Sequence, residues 1–138
     1  MTADCNRKAT LTEAQAQLLL DKNFAHVATI RKDGTPHLTP VWIDWDGECA
    51  LFNTTVDRLK AQHLRRDPRV VVEVLNADNP YQYVVITGTA ELTTDGAWEH
   101  IDKLSKKYRD VDAYPHRDVQ RLIVRVYPER VDAGGFDD

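Results

Sequence analysis

A junction between an apolar run and a basic stretch carries the residues of this chain best suited to bind an anion. Asn53, Thr54 and Thr55 end the apolar run, and Arg58 and Lys60 follow where a helix is expected to start. The first turn of a helix offers free N–H groups and a partial positive charge. Arg58 adds a forked donor and Lys60 a compact charge. These residues suit a phosphate ester, but a solvated basic helix start accounts for them equally well.

Two further segments could contact a ligand. Tyr81 and Tyr83 alternate at the start of a strand, so both face the same side. There they could stack on a flat ring, or simply pack in a core or an interface. In the segment His37-Leu38-Thr39-Pro40-Val41-Trp42, the proline cannot donate a ladder hydrogen bond, so we expect a sheet edge, a bulge or a ligand face.

The familiar catalytic sets are missing from the sequence. It contains no Gly-x-Gly-x-x-Gly run and no Walker loop, which argues against a Rossmann or P-loop site. The five histidines lack tight metal-ligand spacing, so no metal site is predicted. Ser105 is the one serine and has no nucleophile elbow around it, and Cys49 reads as a small core residue. The catalytic residues therefore stay unidentified.

The elements that would position these residues are mostly short strands joined by turns. Thr10 and Glu13 match a capping box for a first helix that reaches about residue 22. Asp-Gly pairs at 33–34 and 46–47 mark hairpin turns, Gly88 marks a bend, and Thr94 can cap a third helix. The predicted strands are 24–30, 35–45, 48–54, 69–75, 81–92 and 121–127, and the predicted helices are 10–22, about 57–66 and one after 94.

Composition sets the broad class. We expect a single domain over residues 1–138, with about nine N-terminal and about six C-terminal residues loose. The chain has a net charge of −4, two cysteines, no apolar leader and no run long enough for a membrane helix. These features predict a cytoplasmic protein that binds neither nucleic acid nor membrane.

A set of motifs in a fixed order carries a resemblance to a known family. The chain resembles the pyridoxamine 5′-phosphate oxidase-like split-barrel superfamily. More narrowly, it resembles the actinobacterial flavin/deazaflavin oxidoreductases of the B type, which bind coenzyme F420. The motifs are 28–36 (ATIRKDGTP), 41–42 (VW), 45–48 (WDGE), Arg58-x-Lys60, 67–70 (DPRV), 79–83 (NPYQY) and 88–90 (GTA).

The resemblance implies a fold, an assembly and a cofactor site. The fold is mostly β (α+β), a six-stranded antiparallel split barrel with a few short helices. The assembly is a homodimer with cofactor sites at the subunit interface, and a partner's Tyr81 reaches the cofactor. Arg58 and Lys60 would hold the cofactor phosphate with Asn53, Thr54 and His63 nearby, and His37, Thr39, Pro40 and Val41 would line its ring and ribityl chain.

The predicted activity is hydride transfer from reduced F420 to an unsaturated or conjugated small molecule, such as a quinone or a tetrapyrrole. One alternative is an FMN-dependent oxidoreductase of the same fold, because both cofactors present the same phosphate. F420 also carries a long acidic tail, for which Arg31, Lys32, Arg65 and Arg66 could form a basic exit groove. A second alternative is a non-enzymatic flavin or haem carrier or sensor, with His37 or His116 as an iron ligand.

Overall fold

Seven antiparallel strands form one curled sheet with three helices packed around it in the computed structural model, which describes residues 9–136. The elements are α1 (Glu13–Leu20), β1 (Phe24–Ile30), β2 (Pro36–Trp42), β3 (Asp44–Trp45), β4 (Ala50–Thr55), α2 (Leu59–Arg66), β5 (Arg69–Asn76), β6 (Asn79–Thr93), α3 (Ala97–Arg109) and β7 (Arg121–Gly134). The strand order is β2-β1-β5-β6-β7-β4-β3. This mostly-β split barrel confirms the predicted fold class.

The predicted count of six strands is wrong by one, because the segment predicted as a single strand over 35–45 bends at Ile43. Its two halves, β2 and β3, lie at opposite edges of the sheet. Consecutive residues cannot be far apart, so the sheet must curl until its edges approach each other. The bend occurs at a buried residue whose backbone N–H donates to Tyr108 Oη (3.1 Å) and whose carbonyl accepts from Lys107 Nζ (2.7 Å).

The core fills the inside of the curl. Side chains alternate along β1 and β5, so that one residue in two is buried and the next is partly exposed. Val27, Val72, Val84 and Phe52 are among the fully buried side chains that meet there. Such period-two burial is typical of a sheet with one face packed on a core.

The bend predicted at Gly88 is confirmed by a register shift between Thr87 and Gly88 in the pairing of β6 with β7. A Cβ at Gly88 would lie 2.1 Å from the Tyr127 carbonyl oxygen, so a side chain cannot be accommodated there without moving the backbone. Pro40 and Pro36 lie on β2, an edge strand, as the prolines predicted.

Two helix caps differ from the predictions. The capping box of α1 is formed by Thr12 and Gln15, not by Thr10 and Glu13, because the Thr12 hydroxyl and the Gln15 amide each bond the other's backbone N–H. The cap of α3 is Gly96, in a left-handed conformation, rather than Thr94.

The last strand is longer than predicted. It continues to Gly134, where Ala133 and Gly134 pair with Val84 and Tyr83, so the expected loose tail does not begin at Ala133. The loose N-terminal segment falls almost wholly on residues 1–8, outside the described part of the chain. Among the described residues, no helix has the length and the apolar character needed to cross a membrane.

Candidate functional site

A cleft of about 320 Å³ opens between the β2 edge, the end of β4, the start of α2 and the face of α3. Polar and basic side chains line one part of it and apolar side chains the other. The lining residues are Phe24, Pro40, Val41, Trp42, Asn53, Thr54, Arg58, Lys60, Ile101, Leu104, Tyr114 and Arg121.

The basic part of the cleft is at the start of α2. Arg58 is the N-cap residue of this helix and has an extended backbone conformation, and Lys60 lies in the first turn. Lys60 is 7% exposed, and burial together with the charge of Arg58 lowers its pKa. Neither cation has an acidic partner within ion-pair distance in the described part of the chain. Two neighbouring cations that share no carboxylate are arranged to receive an anion.

A hydrogen-bond network lies beside these cations. Asn53 Oδ1 accepts from Arg121 Nε at 2.5 Å, and Asn53 Nδ2 donates to the Ala97 carbonyl at 2.9 Å. The same Nδ2 lies 3.2 Å from His100 Nδ1. Asn53 therefore joins β4 to the first turn of α3 and fixes a third cation, Arg121, at the cleft wall.

The apolar part of the cleft is built largely from aromatic rings. Trp42 stacks on Tyr108, with ring centroids 5.3 Å apart and planes 5° from parallel. Tyr114, on the loop after α3, meets Trp42 edge to face at 6.0 Å. Ile101 and Leu104 of α3 complete this wall, which suits a flat apolar ring.

The structure brings together six of the residues that the sequence singled out. The ones that line the cleft are Pro40, Val41, Asn53, Thr54, Arg58 and Lys60. Pro40 and Val41 belong to opposite faces of β2, because their register partners on β1 are His26 and Ala25. Both reach the cleft because β2 is the edge strand.

The other four predicted residues do not line it. His37 and His63 lie beside each other, with ring centroids 5.1 Å apart, and His63 Nδ1 lies 2.9 Å from Thr29 Oγ1. Thr39 is on the inner face of β2, and its buried hydroxyl has no hydrogen-bond partner in the described structure. Tyr81 is 82% exposed at the start of β6.

Sequence reasoning missed Phe24, Ile101, Leu104, Tyr114 and Arg121, which also line the cleft, and it named Trp42 only as the end of a segment that could face a ligand. Most of them read as ordinary apolar residues of strands and helices. The one usable signal was Arg121, a charge at the first position of an apolar strand. Its register partner on β4 is Thr55, next to the polar pair Asn53 and Thr54.

The residues present fit a ligand that combines a phosphate with a planar ring. Arg58, Lys60 and the Thr54 hydroxyl supply donors for phosphate oxygens, and the Trp42–Tyr114 wall supplies a surface for the ring. Within residues 9–136, no group of three or more His, Cys, Asp or Glu side chains could hold a metal ion.

Comparisons with known proteins agree with this architecture. Residues 11–133 match the sequence profile described as pyridoxamine 5′-phosphate oxidase. A solved F420 reductase is 32% identical, with a TM-score of 0.79 over 88% of this chain and 98% of that one. The conserved hypothetical protein Rv2991 from Mycobacterium tuberculosis is 26% identical, with a TM-score of 0.70 over 97% of this chain and 88% of that one. HupZ from Group A Streptococcus, 19% identical with a TM-score of 0.67 over 89% of this chain and 93% of that one, shares the fold.

Proposed function

This chain belongs to the pyridoxamine 5′-phosphate oxidase family, and we propose that it is an oxidoreductase that uses the deazaflavin coenzyme F420. The observation that carries the proposal is the cleft in which Arg58 and Lys60, free of acidic partners among the described residues, adjoin a flat aromatic wall. The similarity to an F420 reductase over nearly the whole of both chains favours this cofactor.

Positive charge spread around Lys60 gives further support for F420. His63 lies one turn after Lys60 on α2, and its ring is 5.1 Å from that of His37 on β2. Arg31 donates to the Pro36 carbonyl and Arg66 to the Ile30 carbonyl, at the neighbouring ends of β2 and β1. Arg31 and Arg66 are exposed, so they can attract a flexible acidic tail that leaves the phosphate site. FMN has no such tail and would not use these charges.

The chain's own residues would act by binding and orientation. Arg58, Lys60 and Thr54 would hold the cofactor phosphate, and Val41 and Trp42 would lie along the ring. When bound, reduced F420 supplies a hydride to an electrophilic carbon of a conjugated substrate, such as a quinone or a tetrapyrrole. The apolar wall would keep water from the ring and align it with the substrate. The proton that completes the reduction would come from solvent.

We also propose that the active form is a homodimer with its cofactor sites at the subunit interface. Ala28, Leu38, Val71 and Val85 form an apolar patch on the outer side of the sheet. Leu38 is 65% exposed. Exposed apolar patches of this kind mark interaction surfaces. We propose that the partner's Tyr81 reaches the cofactor across this interface.

The decisive experiment is a titration of the purified protein with F420 and, separately, with FMN, in which binding is monitored by fluorescence. The double variant Arg58→Ala/Lys60→Ala should weaken cofactor binding by about a hundredfold or more, because each charge-assisted hydrogen bond contributes roughly 1.5–3 kcal/mol. The matched control Lys22→Ala/Arg109→Ala removes two exposed cations outside the cleft and should bind like the wild type. Unchanged affinity in the first variant would refute the phosphate assignment, and tight FMN binding without F420 binding would refute the choice of cofactor.

A further inference from the structure

Arg121 is a buried cation at the cleft that the phosphate assignment does not use. It is 8% exposed, and no carboxylate lies within ion-pair distance of it in the described part of the chain. Its Nε donates to Asn53, and its guanidinium lies over the Tyr114 ring, 5.0 Å from the centroid. Burial without a compensating acid lowers its pKa and is costly for a charge. A buried arginine of this kind on a cleft wall is poised for an anionic ligand.

The position of Arg121 is set by a chain of polar contacts. Arg121 can only donate and the Ala97 carbonyl can only accept, so the amide of Asn53 has one allowed orientation. In that orientation Asn53 Nδ2 faces His100 Nδ1, and His100 Nε2 lies 3.5 Å from Asp44 Oδ2. Asn53 and His100 are thus positioning residues, which hold the guanidinium where a fixed recognition group requires it.

Arg121 and Lys60 both line the cleft, but of the two only Arg121 also lines a second, adjoining depression, and Arg58 lines both. The second depression contains Asp57 and Asp118, and neither carboxylate lies within ion-pair distance of Arg121. A phosphate held between Arg58 and Lys60 would therefore leave Arg121 free for a different anionic group.

We propose that Arg121 binds an anionic oxygen of the substrate, in particular a carboxylate carried by a planar conjugated molecule that packs beside Tyr114. The guanidinium fork matches a carboxylate with two parallel hydrogen bonds. Tyr114, whose ring centroid lies 5.0 Å from the guanidinium, gives the ring of such a molecule an aromatic surface next to Arg121, while Trp42 remains with the cofactor ring. That the bound molecule is a substrate rests on the proposed function, whereas the anion site at Arg121 does not.

The test uses 2-naphthoate as a planar carboxylate probe and 2-naphthamide as its uncharged counterpart. Both are titrated calorimetrically into the full-length protein, with and without bound cofactor. The wild type should bind the carboxylate at least about tenfold more tightly than the amide, and Arg121→Met should abolish that preference. Arg130→Met, an exposed arginine on the same strand, should keep it. F420 affinity should change less than twofold in Arg121→Met.

Three results would overturn the proposal. The first is a wild type that binds the carboxylate no better than the amide, or not at all. The second is a preference that survives in Arg121→Met. The third is a loss of cofactor affinity in Arg121→Met as large as in Lys60→Ala, which would make Arg121 a ligand of the cofactor phosphate.

Two controls keep the result clear. If Arg121→Met folds poorly, Arg121→Lys replaces it, because a lysine keeps the charge but not the fork and should reduce the carboxylate preference. If the wild type binds neither F420 nor FMN, the proposed function fails. The titrations without cofactor then still test whether Arg121 binds the carboxylate.

Discussion

Two histidines near Lys60 sit where protonation is unfavourable. Burial lowers the pKa of His63, and the charges of His37, Arg66 and Arg31 lower it further. Burial also lowers the pKa of His37, and Arg31 and Lys60 add to the effect. Both rings therefore take up a proton at a lower pH in the folded protein than in the unfolded chain.

This arrangement predicts a loss of stability in mild acid. The unfolded chain takes up protons near pH 6.5, the ordinary histidine value, whereas the folded protein takes them up only at lower pH. The free energy of unfolding should keep its full value above that pH and should decrease as the pH drops below it. Urea denaturation of the cofactor-free protein at a series of pH values from about 7.5 to about 5 measures this.

The contribution of His63 can be isolated with His63→Asn, which should lose less stability than the wild type over the same range. His116→Asn removes an exposed imidazole on a loop and serves as the control, which should follow the wild type. An equal slope in the wild type and His63→Asn would show that His63 is not the cause.

At the scale of elements, α3 holds the bend that turns one strand into two. The buried Tyr108 hydroxyl accepts from the Ile43 N–H at 3.1 Å and donates to the Asn23 carbonyl at 2.5 Å. Burial raises the pKa of Tyr108 to about 12, so the hydroxyl keeps its proton under ordinary conditions. Lys107 adds bonds to the Leu19 and Ile43 carbonyls, both at 2.7 Å. The helix therefore satisfies backbone groups that neither sheet edge can pair.

Tyr108→Phe should lower the free energy of unfolding by about 1–3 kcal/mol, because it leaves a buried N–H and a buried carbonyl without a partner while changing volume little. Urea denaturation measures the change. Tyr81→Phe removes an exposed hydroxyl and should leave stability within about 0.5 kcal/mol of the wild type. Equal stability of Tyr108→Phe and the wild type would mean that the Tyr108 hydroxyl does not stabilise the bend.

The same bend shows what could be read from the sequence. Most strands, and the placement of the basic pair Arg58 and Lys60 at the start of α2, follow from local patterns, because period-two burial and a basic helix start are encoded within about ten residues. The break at Ile43 has no such signal, because the segment keeps strand-like residues throughout and the acceptor and donor that stabilise the break come from α3. Arg121 was missed for a related reason: its role appears only when β7 pairs with β4 and brings it to Asn53.

At the scale of the whole molecule, the outer side of the sheet is the surface to test for self-association. The proposed interface contains exposed Leu38 beside Ala28, Val71 and Val85, with His26 and Glu73 3.6 Å apart at its margin. Leu38→Glu would place an unpaired charge in an apolar contact and should raise the dimer dissociation constant at least about tenfold. Analytical ultracentrifugation measures it, and Val111→Glu, an exposed apolar residue outside the patch, is the control.

The role of the partner's Tyr81 can be tested by combining variants. Tyr81 is 82% exposed and does not line the cleft of its own chain, so within one subunit it should have no effect on cofactor affinity. If it acts across the interface, Tyr81→Ala should weaken F420 binding in the dimer but should add nothing in the Leu38→Glu background, measured at a concentration at which that variant is monomeric. The two substitutions would then be strongly non-additive in a double-variant cycle. Additive losses would instead place the effect of Tyr81 within its own subunit, and a dimeric Leu38→Glu protein would place the interface on another face.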